Sequence, residues 1–456
     1  MNGKTDYVMA IDLGSSRIVA GLGKMEENGA LRILAMKQMP SDSEIRRGIV
    51  HNIEDVAGTV RKLKEDLSNS QTPPLVVNHV YVGINGYTLR TKDVNVFSQF
   101  AGTELFTEKD LDELNDQIPE NLPDDFYPIN VYQQEFLVDG KLDRSPIGTT
   151  PKRVDAHFKV VGGIEDVARK TETAFESIRL TANLELGPIA SAEAVLTPEE
   201  KSKGVVCVDF GAETTSICIY KGELVRYVSV LPFGGRNLTL DLLQLNLDEE
   251  DAESLKLLKG TALHYTDFEA QEGEEPFTKE DQEVNEILVA RIEEIVENIW
   301  AQINRSGIEP NKLLSGIVIT GGASKLPDLH KLIARKTGMS VRKGDPSMYL
   351  DATSSAQFGK PENAHCIGLI LQGKDGCFAI VDKEKVLEVV KPIVPLEQTL
   401  EGFPEEKPIM LPKKTVKEKN VKPAKAPKPP KPPKEPKTGG FKNILGSITE
   451  FLNNDN

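Results

Sequence analysis

Asp12-Leu-Gly-Ser-Ser16 and Asp209-Phe-Gly-Ala-Glu-Thr-Thr215 are two versions of one device. Each follows an apolar run that reads as a strand, Val8-Met-Ala-Ile11 before the first and Val205-Val-Cys-Val208 before the second. Each ends in small hydroxyl residues and leads into a second apolar run, 18–22 in one case and Ile217 with Ile219 in the other. Most Asp-x-Gly turns simply close hairpins. A glycine in such a turn also lets backbone N–H groups approach phosphate oxygens, and the hydroxyls add donors. An aspartate repels phosphate, so it fits there only with a cation such as Mg²⁺ between them. Two such turns facing each other would clamp a nucleoside triphosphate between two related domains.

A third segment strengthens the reading. Gly316-Ile-Val-Ile-Thr-Gly-Gly-Ala-Ser-Lys-Leu-Pro327 is a buried-type strand, a double-glycine turn and a helix start. The spacing predicts a helix over 327–336, with Leu329, Leu332 and Ile333 on one face. Gly321 and Gly322 would let the backbone lie close to a flat ligand such as an adenosine. The segment is not a dinucleotide fingerprint, because it lacks the full glycine spacing and the acidic residue beyond it.

The chain has 456 residues, too many for one core, so two to four domains are expected. An apolar share of 39% and a charged share of 27% suit a globular protein with polar extensions. Cys207, Cys218, Cys366 and Cys377 form no Cys-x-x-Cys pair and read as small core residues in a reducing compartment. The start is polar, with no signal-peptide pattern, and no apolar run is long enough to span a bilayer, so a cytosolic protein is expected. The six histidines show no zinc-ligand spacing, and no nucleophile elbow is visible. The net charge of −15 hides an asymmetry: residues 413–437 hold ten lysines against Glu418 and Glu435 alone. The body is therefore strongly acidic, which argues against nucleic acid as a partner. The basic stretch has no aromatic residue for bases to stack on.

Along the chain, residues 7–83 read as strands and an amphipathic helix with Ile53, Val56, Ala57, Val60, Leu63 and Leu67 on one stripe; strand 79–84 follows. From 85 to 162 the pattern changes. Short alternating segments (131–137; Val154, Ala156, Phe158, Val160) surround one helix opened by the capping box Thr107-Glu-Lys-Asp110. A helix is predicted over 166–181, and another over 279–305 with Thr278-x-x-Asp281 as its cap. A short apolar helix over 364–371 should return to the first domain. After about 395 periodicity stops, and the Pro/Lys tract is expected to be an extended spacer. Helical spacing resumes at the end of the chain, where Phe441, Ile444, Leu445, Ile448, Phe451 and Leu452 share one face. A helix of roughly 18 Å is too short to span hydrocarbon but suits the membrane interface. The alternative is a helix docked on the body.

The three turns, in this order, resemble those of the actin-like ATPase superfamily. The inserted module and the tail narrow the resemblance to the FtsA family of bacterial cell-division proteins. The resemblance implies an α/β, actin-like fold of two duplicated ribonuclease-H-like domains with an inserted small α+β subdomain (1C), a disordered linker and a C-terminal amphipathic helix. The boundaries it implies are 1–84 for the first part of subdomain 1A, 85–162 for 1C and 163–203 for the rest of 1A. They continue as 204–237 and 306–355 for 2A, 238–305 for 2B, 356–395 for the return to 1A, 396–438 for the linker and 439–456 for the membrane-targeting helix. It also implies ATP and Mg²⁺ as cofactors. Asp12, Gly14, Ser15, Ser16 and Arg17 would form the first phosphate turn; Asp209, Gly211, Ala212, Glu213, Thr214 and Thr215 would form the second. Asp12 and Asp209 would orient the Mg²⁺, directly or through water. Gly234 and Gly235 lie in the turn that follows the second hairpin. Glu253 and Lys256 would stand near the nucleoside, or else form a solvated helix face. Gly321, Gly322 and Ala323 would contact the adenosine.

Two departures bear on hydrolysis. Glu213 stands where a glycine is common, and Gly187 stands before Pro188 where related ATPases carry a water-orienting residue. Turnover is expected to be slow or absent, with Glu213 the one weak catalytic candidate. The implied partners are the FtsZ C-terminal peptide near residues 238–305, further copies of the chain in a filament, anionic inner-membrane lipid and other division proteins. The implied place is the cytoplasmic face of the inner membrane at the septum. Two alternatives share the superfold: a PilM-like pilus-assembly protein and a small-molecule kinase. No substrate-pocket constellation supports the kinase, and the Pro/Lys tract excludes the β-rich substrate domain of a DnaK-type chaperone.

Overall fold

Both quoted turns join antiparallel strands, and each hairpin seeds a sheet of the same plan. The structure, a computed structural model, describes residues 7–41, 43–71, 75–265 and 278–379. The spacer over 396–438 and the helix over 439–456, with Phe441, Ile444, Leu445, Ile448, Phe451 and Leu452, lie outside the described residues.

In the first half, β1 (Val8–Leu13), β2 (Arg17–Met25) and β3 (Leu31–Pro40) form an antiparallel meander. A small hairpin, β4 (Ile45–Arg46) and β5 (Ile49–Val50), leads to α1 (Ile53–Asn69). Asn52 starts α1 by accepting from the N–H groups of Glu54 and Asp55 at 3.1 and 3.3 Å. Of the predicted stripe, Val56, Ala57, Val60, Leu63 and Leu67 are buried and Ile53 is half-buried. β6 (Val76–Val77) follows, then β7 (His79–Ile84), which runs parallel to β1.

The inserted segment contains β8 (Arg90–Gln99), α2 (Glu108–Asn115), β9 (Tyr127–Val138), β10 (Lys141–Asp143) and β11 (Arg153–Gly163). It has its own core around Phe106, Phe126, Phe136 and Phe158. The Thr107 N–H donates to Asp110 Oδ2 at 2.7 Å, as the capping box requires.

The chain then returns through α3 (Asp166–Ser177) and β12 (Thr181–Leu186) to α4 (Gly187–Val195) and α5 (Pro198–Lys203). The helix predicted to reach 181 stops at Ser177, because Arg179 turns left-handed (φ 56°) and residues 181–186 pair with β7. Sheet pairing over six residues outweighs the continuing helical pattern.

The second half repeats the plan. β13 (Val205–Phe210), β14 (Thr215–Lys221) and β15 (Leu224–Leu231) form the meander. α6 (Gly235–Leu242), α7 (Glu249–Lys259) and α8 (Lys279–Arg305) form a helical layer before β16 (Ile317–Thr320), α9 (Leu329–Thr337) and β17 (Val341–Lys343). α8 has the bounds read from sequence, with the Thr278–Asp281 box at its start. Finally α10 (Ala352–Phe358), α11 (Ala364–Gln372) and β18 (Phe378–Ala379) return to the first half, where β18 pairs with β6.

The two sheets have matching strand orders, β3-β2-β1-β7-β12 and β15-β14-β13-β16-β17. In each, three antiparallel strands are followed by two parallel ones. This is the duplication that the paired turns suggested. α4 and α11 lie between the halves, α11 on β1 and β2 and α4 on β13 and β14. They touch backbone to backbone: a Cβ added at Gly368 would stand 1.7 Å from the Ala190 carbonyl oxygen.

The insertion does not stand free. β8 meets the outer edge of β15 at Arg90 and Ser229, so the second sheet continues into β11, β9 and β10. Thr91 Oγ1 donates to the Val228 carbonyl at 3.0 Å and accepts from its N–H at 2.7 Å. Arg226 grips Glu135 with both terminal nitrogens, one at 2.6 Å from Oε2. This bidentate bond to Arg226 outweighs the desolvation of Glu135 and holds its carboxyl down to about 2. A depressed carboxylate stabilises the fold above its ordinary pKa, and that contribution fades as pH falls from about 4.5 towards about 2. Glu135→Gln should therefore cost about 1 kcal/mol in urea unfolding at pH 7, after allowance for the half-exposed setting. The gap between variant and wild type should close as the pH is lowered through that window.

Candidate functional site

The ends of β1 and β13 face one cleft. Asp12 sits opposite Val19 on β2 and beside Gly83 on β7; Asp209 sits opposite Ser216 on β14 and beside Thr320 on β16. The two aspartates occupy equivalent places in the duplicated sheets. The cleft has a volume of about 1030 Å³. Of the residues predicted to touch the nucleotide, all line it except Thr215. The Thr215 hydroxyl donates instead to the Phe233 carbonyl at 2.8 Å and ties the hairpin to the next turn.

The second phosphate turn is locked onto α6. Gly235 N–H reaches the Gly211 carbonyl at 3.0 Å, and Arg236 N–H reaches that of Ala212 at 2.7 Å. A Cβ at Gly234 would meet the Ala212 oxygen at 2.5 Å, so glycine is needed there. Gly321 has φ 86°, and a Cβ on it would lie 2.1 Å from Asp209 Oδ1. Its close approach is to that carboxylate, a role the sequence reading did not give it. Arg17 holds the segment before α11, donating to the Glu362 carbonyl at 2.8 Å.

Lys256 is no solvated helix charge. Its ammonium donates to Glu253 Oε2 at 2.6 Å, Thr239 Oγ1 at 2.9 Å and the Gly235 carbonyl at 3.1 Å. Glu213 spans the cleft: it accepts from the Arg47 N–H at 2.7 Å and lies 3.5 Å from the Arg236 guanidinium. Beside it, the Gly48 N–H donates to Ser15 Oγ at 3.2 Å. The tip of the β4–β5 hairpin therefore touches both phosphate turns, one through each of two adjacent N–H groups.

Two functional positions escaped the sequence reading, and both lie on the helices between the halves. Ser191 of α4 donates to Asp209 Oδ2. His365 of α11 bonds Asp12 Oδ1 through Nδ1 at 2.9 Å. Burial pushes the Asp209 carboxyl up, beyond what Ser191 and His365 recover, with Asp12 adding to the rise. Burial works against charge on His365, but Asp12 and then Asp209 outweigh it, so its pKa lies above the ordinary histidine value. A cation shared by the two carboxylates would remove much of that cause. Only the run Asn363-Ala-His-Cys-Ile-Gly at the helix start hinted at His365.

Several buried polar atoms on the cleft wall have no hydrogen-bond partner: Ser41 Oγ, Asn85 Oδ1, Glu362 Oε2 and His365 Nε2. Buried groups of this kind are rarely left unpaired, and each of these atoms exposes less than 1 Å². Among the described residues there is no cluster of three or more metal-ligating side chains. Two facing carboxylates fit Mg²⁺, which takes one or two protein carboxylates and completes its shell with phosphate and water.

The comparisons agree with this geometry. A family sequence model described as "Cell division protein FtsA" matches residues 206–368. The cell division protein FtsA of Neisseria meningitidis serogroup B is 28% identical over 352 residues, 75% of this chain and 84% of that protein. Its namesake in Escherichia coli K12 is 24% identical over 388 residues, 81% of this chain and 90% of that protein. The chain is related to the FtsA family. Among solved structures, a chain of the "PilM-PilN type IV pilus biogenesis complex" superposes with a TM-score of 0.57 at 18% identity, covering 81% of this chain and 99% of that one. The fold is thus the actin-like fold anticipated from the sequence. Among the described residues, no helix is long and apolar enough to cross a membrane.

Ser191→Ala would leave the buried Asp209 carboxylate without its hydroxyl donor. It should cost about 1.5–3 kcal/mol in urea unfolding. The same substitution made on Asp209→Asn should cost distinctly less, as a double-mutant cycle will read.

Proposed function

We propose that this protein is an ATP-binding, actin-like cell-division protein that polymerises and anchors an FtsZ ring to the cytoplasmic face of the inner membrane at the septum. The observation that carries the reading is the convergence of two equivalent Asp-x-Gly turns on one cleft whose wall holds unpartnered polar atoms. Kinship with proteins named for cell division supplies the cellular setting.

In this reading Asp12 and Asp209 hold Mg²⁺, directly or through water. Gly14, Ser15 and Ser16 present one set of donors to the phosphates, and Gly211, Ala212, Glu213 and Thr214 frame the other. Gly234 and Gly235 shape the start of α6. Glu253, Lys256, Gly321, Gly322 and Ala323 form the nucleoside end. The cation supplies charge neutralisation between carboxylate and phosphate. Glu213 is an unpromising general base, since its carboxylate is engaged by the Arg47 N–H and faces Arg236. Gly187 has no side chain to position water. Turnover is accordingly slow.

The partners follow from the same kinship. An FtsZ C-terminal peptide docks near 238–305, copies of the chain associate in filaments, and other division proteins join them. The acidic body makes nucleic acid an unsuitable partner. For the membrane, six apolar side chains from Phe441 to Leu452 give roughly 9–18 kcal/mol of gross burial, much of it offset by ordering the tail. The lysine spacer adds attraction to anionic lipid, and filament formation multiplies weak tails by effective concentration.

Two measurements test the proposal. Titration calorimetry should show Mg²⁺-dependent ATP binding that falls about tenfold or more in Asp12→Ala and in Asp209→Ala, the scale of one lost charge-assisted contact. Unchanged affinity in both would defeat the nucleotide site. Flotation with vesicles containing phosphatidylglycerol should carry the full chain but not one ending at Pro412. Equal flotation of the two would defeat the anchor.

A further inference from the structure

We infer that Glu213 keys the two halves together across the cleft, and that this contact sets how fast a bound nucleotide leaves. The inference rests on the nucleotide reading of the cleft. The socket for the key is a rigid piece of the first half. Arg46 and Ile49 pair across the β4–β5 hairpin, and the two residues between them are left-handed, Arg47 at φ 47° and Gly48 at φ 73°. Tight two-residue hairpin turns favour such a pair. The tip is also seated on its own half: the Tyr87 N–H donates to the Arg47 carbonyl at 3.1 Å, and a Cβ at Gly48 would lie 1.9 Å from the Asn85 carbonyl oxygen. The Arg47 N–H is thus offered from a fixed position.

The key is fixed in the second half. The Gly211 N–H donates to the Thr214 carbonyl at 2.9 Å and closes the turn that carries Glu213. Arg236, 3.5 Å from Glu213 and 2.8 Å from Glu249, steadies the carboxylate from that side. Glu213 then crosses to the Arg47 N–H at 2.7 Å, and both Glu213 and Gly48 line the cleft. A carboxylate beside a phosphate site is disfavoured by charge, so its presence there needs another use. Its partners supply one, since they come from opposite halves. A nucleotide gripped by both phosphate turns leaves only when the turns part. Parting them pulls the carboxylate off the Arg47 N–H, so the hydrogen bond raises the barrier to release. Entry starts from parted turns and is little affected. Glu213 acts as a positioning residue.

Stopped-flow release of N-methylanthraniloyl-ATP from the full chain with Mg²⁺ tests the inference. Glu213→Ala should release the analogue about tenfold faster, the scale of one hydrogen bond to a charged group, with association changed by no more than about twofold. Two further variants separate reach from charge. Glu213→Asp keeps the charge but is a methylene shorter, and should release as fast as Glu213→Ala. Glu213→Gln keeps the reach, and its amide oxygen accepts the Arg47 N–H, so it should release more slowly than either. Gly48→Ala disturbs the socket instead, because its methyl collides with Asn85. It too should speed release, and combining it with Glu213→Ala should be no faster than the faster single change. Unchanged or slower release in Glu213→Ala would overturn the inference. So would release that follows charge, with Glu213→Asp like wild type and Glu213→Gln like Glu213→Ala, or full additivity of the Gly48 and Glu213 changes. A wild-type chain that binds neither ATP nor the analogue would instead overturn the nucleotide reading itself.

Discussion

Two carboxylates at the floor of one cleft repel each other, and most of the site's architecture answers that repulsion. Asp209 is buried, and Asp12 is nearly so. In a poorly solvated place, like charges cost far more than in water. The protein meets the cost from its two central helices, Ser191 of α4 serving Asp209 and His365 of α11 serving Asp12. Those helices can serve both turns only by lying close together, and Gly368 against the Ala190 carbonyl permits that. Gly83, Gly187 and Gly321 give way for the imidazole and for the Asp209 carboxylate. Glycines scattered through the sequence thus share one electrostatic cause.

Local pattern made a large part of this readable. The paired turns announced a duplication, and both sheets carry it in matching strand order. Capping boxes at Thr107 and Thr278 marked helix starts correctly, because a cap is a contact between residues three apart. What escaped depends on side chains meeting across long stretches of chain. Nothing near Asp12 in sequence indicates that an imidazole from α11 will reach it. Thr214 and Thr215 look equivalent as residues, yet Thr215 pairs with β15 and gives its hydroxyl to Phe233, while Thr214 lines the cleft. The helix predicted to continue to 181 failed for a related reason, since β7 offered those residues a better partner.

The insertion illustrates another long-range choice. Its alternating strands set it apart in sequence, and in the structure it packs around its own phenylalanines. Its place beside β15 was not visible. A meander that ends a sheet leaves a row of unpaired backbone groups, which invites association with other chains. Here β8 takes part of that edge, and the Thr91 and Glu135 contacts secure it. The module therefore shields the second half while belonging in sequence to the first.

A side chain larger than hydrogen at position 368 would have to push α11 away from α4. The partners of the two aspartates ride on those helices, His365 on one and Ser191 on the other. Close packing between two helices thus sets the spacing of groups that lie on neither phosphate turn.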